Sequence, residues 1–227
     1  MAFNSVKRAD DLVAARNVLV STYDKTGLAE LAKGMAAACP GLRFYSTGGT
    51  YDALRGALSG PTGGASLIKV SDYTGQPEMK GGLVKTLDWK IYLGLLAEKG
   101  DEAHEDDLER SGAVAFDMVI ANLYPFAEAA ADPKSSPEEL RQRIDIGGPS
   151  MIRAAAKNYL RVASVSSPAQ YGPLLAELKA QAGRTCLMTR RRLAAEAFGL
   201  VSRYDAVVSA RLGGLDAASV AAAYGLV

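Results

Sequence analysis

Three segments of this chain share one local design: an apolar run ends, a polar or glycine-rich turn follows, and a helical pattern begins. They are Ser21 to Gly27, Ser46 to Thr50 and Asp145 to Ser150. Such a turn leaves unpaired backbone N–H groups at the positive end of a helix dipole, an arrangement suited to phosphate. Glycines at Gly48, Gly49, Gly147 and Gly148 let the backbone approach an anion closely. Either glycine pair alone reads as an ordinary turn. The two together, with Lys25 beside the third such turn, favour an anion site.

Further polar residues adjoin these turns. Lys85 follows Gly81-Gly82-Leu83-Val84, either as a surface lysine after a glycine turn or as a cation facing the same site. Asn122 and Tyr124 come directly after an apolar run, where a ligand would lie. Tyr124 equally suits a packed ring with a bonded hydroxyl. Ser150, Arg153 and Lys157 are spaced i, i+3, i+7 and share one helix face, with Asp145 just before it. That polar stripe on an Ala-rich helix reads as an active-site face. Otherwise Lys157 simply complements a helix C-terminus and Asp145 an N-terminus. His104, the one histidine, sits in the acidic run Asp101 to Asp107 and reads as an exposed helix start or loop. A Ser-His-Asp triad, a His-rich zinc site and a Cys-His nucleophile are thereby excluded. Chemistry here must use Lys, Tyr, Asp, Ser or backbone N–H groups.

The elements that position these residues alternate. Strands are predicted at Asn17–Ser21, Leu42–Ser46, Leu67–Val70, Asp117–Ala121 and Val162–Val165, the fourth apolar on both faces and so interior. Helical patterns follow Leu28, Tyr51, Pro137, Ser150, Pro168 and Thr189, and Gly56 to Gly64 reads as a surface loop. The predicted fold class is α/β, a mainly parallel sheet with helices on both faces. Ligands of such sheets bind beyond the carboxyl ends of the strands, where the three turns lie.

The chain has 227 residues, 48% hydrophobic and 22% charged, which suits one large domain or two small ones. Lys plus Arg (26) nearly balance Asp plus Glu (25), which argues against a nucleic-acid groove or a membrane surface built on bulk charge. Cys39 and Cys186 form no metal spacing and no disulfide framework, as in a reducing compartment. Residues 1–16 carry charges without an apolar core of the signal-peptide kind, and no run of about 18 apolar residues occurs. A cytoplasmic protein is expected.

Taken together, these stretches resemble the IMP cyclohydrolase domain of the bifunctional purine-biosynthesis enzymes, the AICAR transformylase/IMP cyclohydrolase family. The resemblance runs through Ser21 to Leu28, Ser46 to Thr50, Val70 to Met79, Val84 to Leu87, Asn122 to Phe126, Ile144 to Asn158, Thr189 to Ala194 and Tyr204 to Ala206. It spans residues 15–212 and implies a methylglyoxal-synthase-like fold. The division it suggests is an N-terminal extension at 1–14, a core at about 15–165, a helical part at about 166–212 and a tail at 213–227. The implied reaction is closure of FAICAR (formamidoimidazole-carboxamide ribotide) to IMP with loss of water, with no cofactor or metal. Lys85, Tyr124, Asp145 and Lys157 match the family's catalytic positions. Ser21, Tyr23, Asp24, Lys25, Thr47, Gly48, Gly49, Thr50, Thr86, Asn122, Ile146 and Gly147 match its nucleotide-binding positions.

A stand-alone cyclohydrolase is therefore expected. Its partners would be a purine nucleotide, a second copy of the chain in a homodimer, and a separately encoded AICAR formyltransferase, with no nucleic acid or membrane. Departures from the family pattern bear on phosphate binding and substrate identity. Leu83, Asp88, Trp89 and Tyr92 replace Arg, His, Pro and His, and Thr22-Tyr23 replaces Val-Ser. Leucine offers none of the planar donors of arginine. The alternatives are a purine-nucleotide-binding module without catalysis, or a cyclohydrolase for an altered FAICAR-like substrate.

Overall fold

The computed structural model describes residues 6, 8–60, 64–77 and 84–226. Gly81, Gly82, Leu83, the Glu78-Met79 end of one family-like stretch and residues 61–63 of the predicted surface loop lie outside them. Five strands form one parallel sheet: β2 (Asn17–Ser21), β3 (Arg43–Ser46), β4 (Ser66–Lys69), β5 (Met118–Ala121) and β6 (Ala163–Val165). Their order is β4-β3-β2-β5-β6. The chain builds outward from β2 to β4 on one side, then returns to add β5 and β6 on the other. The direction of winding reverses between β2 and β5, and ligand crevices of open α/β sheets form at that reversal.

Alternation within the strands splits the core into two layers. Val18, Val20, Phe44, Met118 and Ile120 face one side, against Leu28, Leu31 and Met35 of α1 (Leu28–Ala38) and Leu174 and Leu178 of α9 (Tyr171–Ala180). Leu19, Tyr45 and Val119 face the other, against Ile91 and Leu95 of α4 (Trp89–Leu96), Met151, Ile152 and Ala155 of α8 (Gly147–Lys157), and Ala197 and Val201 of α10 (Leu187–Gly213). Both faces of β2 and β5 are buried, so these strands are nearly continuous apolar runs.

The predicted strands lie within one or two residues of those found, the usual latitude of element ends. The helix expected from Pro168 begins as a 3-10 turn at Pro168–Gln170 before α9. Elements the patterns did not suggest are α3 (Val70–Thr74), α4, α5 (Glu102–Ser111) and α6 (Phe126–Ala131), which precede α7 (Pro137–Gln142). All three residues of β1 (Leu12–Ala14) pair antiparallel with β7 (Arg184–Cys186), Leu12 with Cys186, Val13 with Thr185 and Ala14 with Arg184. The end of the stretch 1–14 is thus docked on the C-terminal half. The tail folds as α11 (Ala217–Tyr224), with the Tyr224 hydroxyl donating to Glu138 Oε2 on α7 at 2.9 Å. His104 lies in the first turn of α5, its backbone N–H capped by Asp101.

Candidate active site

A cleft of about 340 Å³ opens at the carboxyl ends of β2, β3 and β5. It gathers Ser21, Tyr23, Lys25, Thr47, Gly49, Thr50, Lys85, Thr86, Asn122, Tyr124, Asp145, Ile146 and Gly147. Thirteen of the sixteen residues named from the sequence therefore meet in one place.

One end of the cleft is cationic. Helix α2 (Gly48–Ala57) starts there, and the side chain of its N-cap residue Thr47 makes no capping hydrogen bond. Gly48 has φ 49°, the left-handed region that favours glycine, and a Cβ there would lie 3.3 Å from the Lys85 ammonium. Gly49 stands at the same distance scale from Lys25, 4.0 Å from a notional Cβ to Cε. The Lys25 ammonium rests on the carbonyls of Thr22 and Tyr23, at 3.3 and 3.2 Å. Two lysines at an uncapped helix start form a phosphate-type cradle. Gly48 itself supports the cradle through its backbone and is not part of the cleft wall.

Several family-like binding residues hold the turn instead of presenting side chains. The Asn122 oxygen accepts from the N–H groups of Tyr23 (2.7 Å) and Asp24 (2.9 Å), and its amide donates to the Asp24 carbonyl (2.8 Å). Asn122 thereby ties the end of β5 to the end of β2. The buried Thr50 hydroxyl accepts from Thr22 N–H and donates to its carbonyl, stapling α2 to the same turn. Asp24 lies outside the cleft wall and accepts from Thr26 N–H at 2.8 Å; hydrogen bonds from the Thr26 side chain and then its backbone hold the Asp24 carboxyl below the usual range.

The other end of the cleft holds a half-buried carboxyl. Asp145 accepts from Gly148 N–H at 2.9 Å, at the start of α8, and burial raises its pKa. Tyr124 lies close by, with its pKa raised by burial, by the charge of Asp145 and by Tyr23. Its hydroxyl therefore stays protonated at neutral pH, as a donor must. The rings of Tyr23 and Tyr124 meet edge to face, with centroids 5.2 Å apart, and both are about half exposed at the cleft mouth. Thr86 packs its hydroxyl against the start of α8 at Gly147.

Gly148, of the glycine turn before α8, also lines the cleft, as do Thr22, Leu87, Gln142 and Ile144, which the sequence did not mark as binding residues. A Cβ at Gly148 would stand 2.5 Å from Asp145 Oδ2 and 2.9 Å from Leu123 Cδ2. Gly148→Ala is expected to displace the Asp145 carboxyl, lowering stability by about 1–3 kcal/mol through overpacking. Thermal melts and steady-state rates would read both losses; a fully stable variant with the parental rate would contradict this geometry.

Lys157 is not in the cleft. It is exposed in the last turn of α8, ten residues from Gly147 at the site, which is about 15 Å along the axis at 1.5 Å per residue. Its place complements the helix C-terminus. Arg153 on the same face lies over the Phe198 ring at 5.3 Å. The departures at Asp88, Trp89 and Tyr92 also fall outside the cleft wall: Asp88 caps α4 by accepting from Lys90 N–H, Trp89 is exposed, and Tyr92 is half-buried on α4.

Comparison with known proteins places the chain in a family. The family model for the MGS-like domain matches residues 27–150, and that for the AICARFT/IMPCHase bienzyme matches residues 155–224. The chain belongs to the MGS-like domain family. It is 41% identical over 201 residues to the bifunctional purine biosynthesis protein PurH of Rhizobium johnstonii, covering 88% of this chain and 36% of that protein. With PurH of Synechococcus sp. it shares 43% identity over 195 residues, covering 86% and 36%. The chain thus spans about a third of the length of these curated relatives. Among solved structures, the crystal structure of ForH superposes with a TM-score of 0.71 at 30% identity, covering 87% of this chain and 98% of that one. Among the described residues, no single helix is long and apolar enough to cross a membrane.

Proposed function

We propose that the protein is an IMP cyclohydrolase, closing FAICAR to IMP with loss of water. The observation that carries this reading is the pairing within one cleft of a cationic helix start with a half-buried Asp–Tyr pair. The nucleotide phosphate is placed at the start of α2, between Lys25 and Lys85. The base then extends toward the start of α8.

Ring closure needs the carboxamide nitrogen to attack the formyl carbon of the same molecule. Holding the reactive conformer supplies much of the rate. In the proposed scheme Asp145 accepts a proton from the attacking amide, and its raised pKa brings its basicity nearer to the working pH. Tyr124 and Lys85 donate to the formyl oxygen as it gains charge. The resulting carbinolamine loses that oxygen as water, with a second amide proton, leaving the ring C=N bond of IMP. Lys157 has no direct part in this scheme. A second copy of the chain and a formyltransferase supplying FAICAR are the proposed partners.

The test is incubation of purified protein with FAICAR while IMP formation is followed. A rate above that of buffer is expected, and saturable in FAICAR. No IMP at high protein concentration would refute the reading, and calorimetric binding of IMP without turnover would leave a nucleotide-binding module in its place.

A further inference from the structure

Asp145 stands in the loop between α7 and α8, where its backbone N–H has no helical or sheet partner. That N–H donates to the hydroxyl oxygen of Tyr204 at 2.7 Å, across 59 residues of chain. Tyr204 comes from the middle of the long helix α10 and is half-buried. Its ring meets Phe126 of α6 edge to face, at a centroid distance of 6.2 Å. Both rings belong to a small apolar cluster of Phe126, Ala129 and Leu140, joined by Ile144, Tyr204 and Val208. Ile144, the residue before Asp145, is therefore seated in the cluster that holds Tyr204.

We infer that Tyr204 is a positioning residue for the reaction: it fixes the Asp145 backbone so that the carboxyl stays in the cleft. This rests on the proposed role of Asp145. Asp145 is held at its carboxylate by Gly148 N–H, with the Tyr124 backbone N–H beside it, and at its own N–H by Tyr204. The Gly148 bond belongs to α8 and the Tyr204 bond to α10, so the side chain is triangulated between two helices packed on the same sheet face. Without the Tyr204 anchor the loop turns about Gly148, and the carboxyl gains access to water. Misplacement of a reacting group by about 1 Å costs up to about a hundredfold in rate. Tyr204 touches no cleft space itself, so its effect passes wholly through Asp145.

The decisive change is Tyr204→Phe, which keeps the ring and removes only the acceptor. Val208→Ala is the partner experiment, because it loosens the same cluster without touching the Asp145 N–H. Tyr204→Phe is expected to lower kcat by roughly ten- to a hundredfold with KM nearly unchanged. It should also move the acid limb of the kcat profile to lower pH, as Asp145 becomes more solvated. Val208→Ala should lower the melting temperature and leave the acid limb in place. A carbon-detected NMR titration of the Asp145 carboxyl reads the same shift without turnover, and so separates this inference from the cyclohydrolase reading. An Asp145 titration unchanged in Tyr204→Phe, or a loss in both variants that simply follows their melting temperatures, would overturn it.

Discussion

Replacing Asp145 with Asn is expected to lower kcat for IMP formation by about 10²- to 10⁴-fold, the scale for removing a positioned acid or base. The same change should make the protein more stable at neutral pH. Burial raises the native pKa of Asp145 above its ordinary value of 3.8, so the native state binds this proton more tightly than the unfolded chain. Stability of the parent protein then falls as pH rises from 3.8 through the raised native value, and the ionised carboxyl is a net cost above it. Asn keeps an oxygen for Gly148 N–H and carries no charge to desolvate. Denaturant melts at neutral pH and near pH 4 would show the gain of the variant shrinking on acidification. A variant that is both active and no more stable would remove Asp145 from the chemistry and from the energetics together.

The second large effect concerns Arg190, which no sequence pattern singled out within Thr189-Arg190-Arg191-Arg192. Arg190 is fully buried, and burial lowers its pKa. Its guanidinium donates to the carbonyls of Asp10, Asp11, Tyr159, Leu160 and Thr185. It thereby joins the entry to β1, the start of β7, and the turn between α8 and β6. Arg190→Met keeps most of the volume but leaves five carbonyls without their donor, Thr185 in the interior among them. The expected loss is roughly 3–5 kcal/mol, the scale for breaking a buried charged network. A melting temperature lower by roughly 10 °C and lost amide protection in β1 and β7 would register it. An unchanged melting temperature would show that these carbonyls find water when the guanidinium is gone.

The contrast between these residues marks what the sequence makes legible. Val18-Leu19-Val20 and Met118-Val119-Ile120 announce buried strands by composition, and the residues that follow each strand fall in the cleft by topology alone. Lys25 and Tyr124 are therefore readable, and Asp145 is readable only from the glycine turn that opens α8. Lys157 shares an angular face with Ser150, which periodicity reports, but periodicity says nothing of the 15 Å or so that separate the two ends of a helix this long. Helix α5 buries no side chain, so it has no apolar stripe to reveal it. Strands β1 and β7 are three residues each and pair across about 170 positions, beyond any local signal. Tyr204 was visible as part of a family-like stretch, but its bond to Asp145 exists only once α10 is laid against the sheet.

The β1–β7 ladder and the Arg190 carbonyl cluster also set an order on assembly. Residues 10–14 leave the ribosome before the sheet is made, and their partners at 184–190 follow some 170 residues later. At a synthesis rate of about 5–20 residues per second, that interval is roughly ten to thirty-five seconds. The sheet from β2 to β6 is already complete in sequence when Thr185 and Arg190 emerge. The segment at 10–14 is thus made before the sheet and fastened after it, and until then its apolar Leu12 and Val13 stand open to chaperones and proteases.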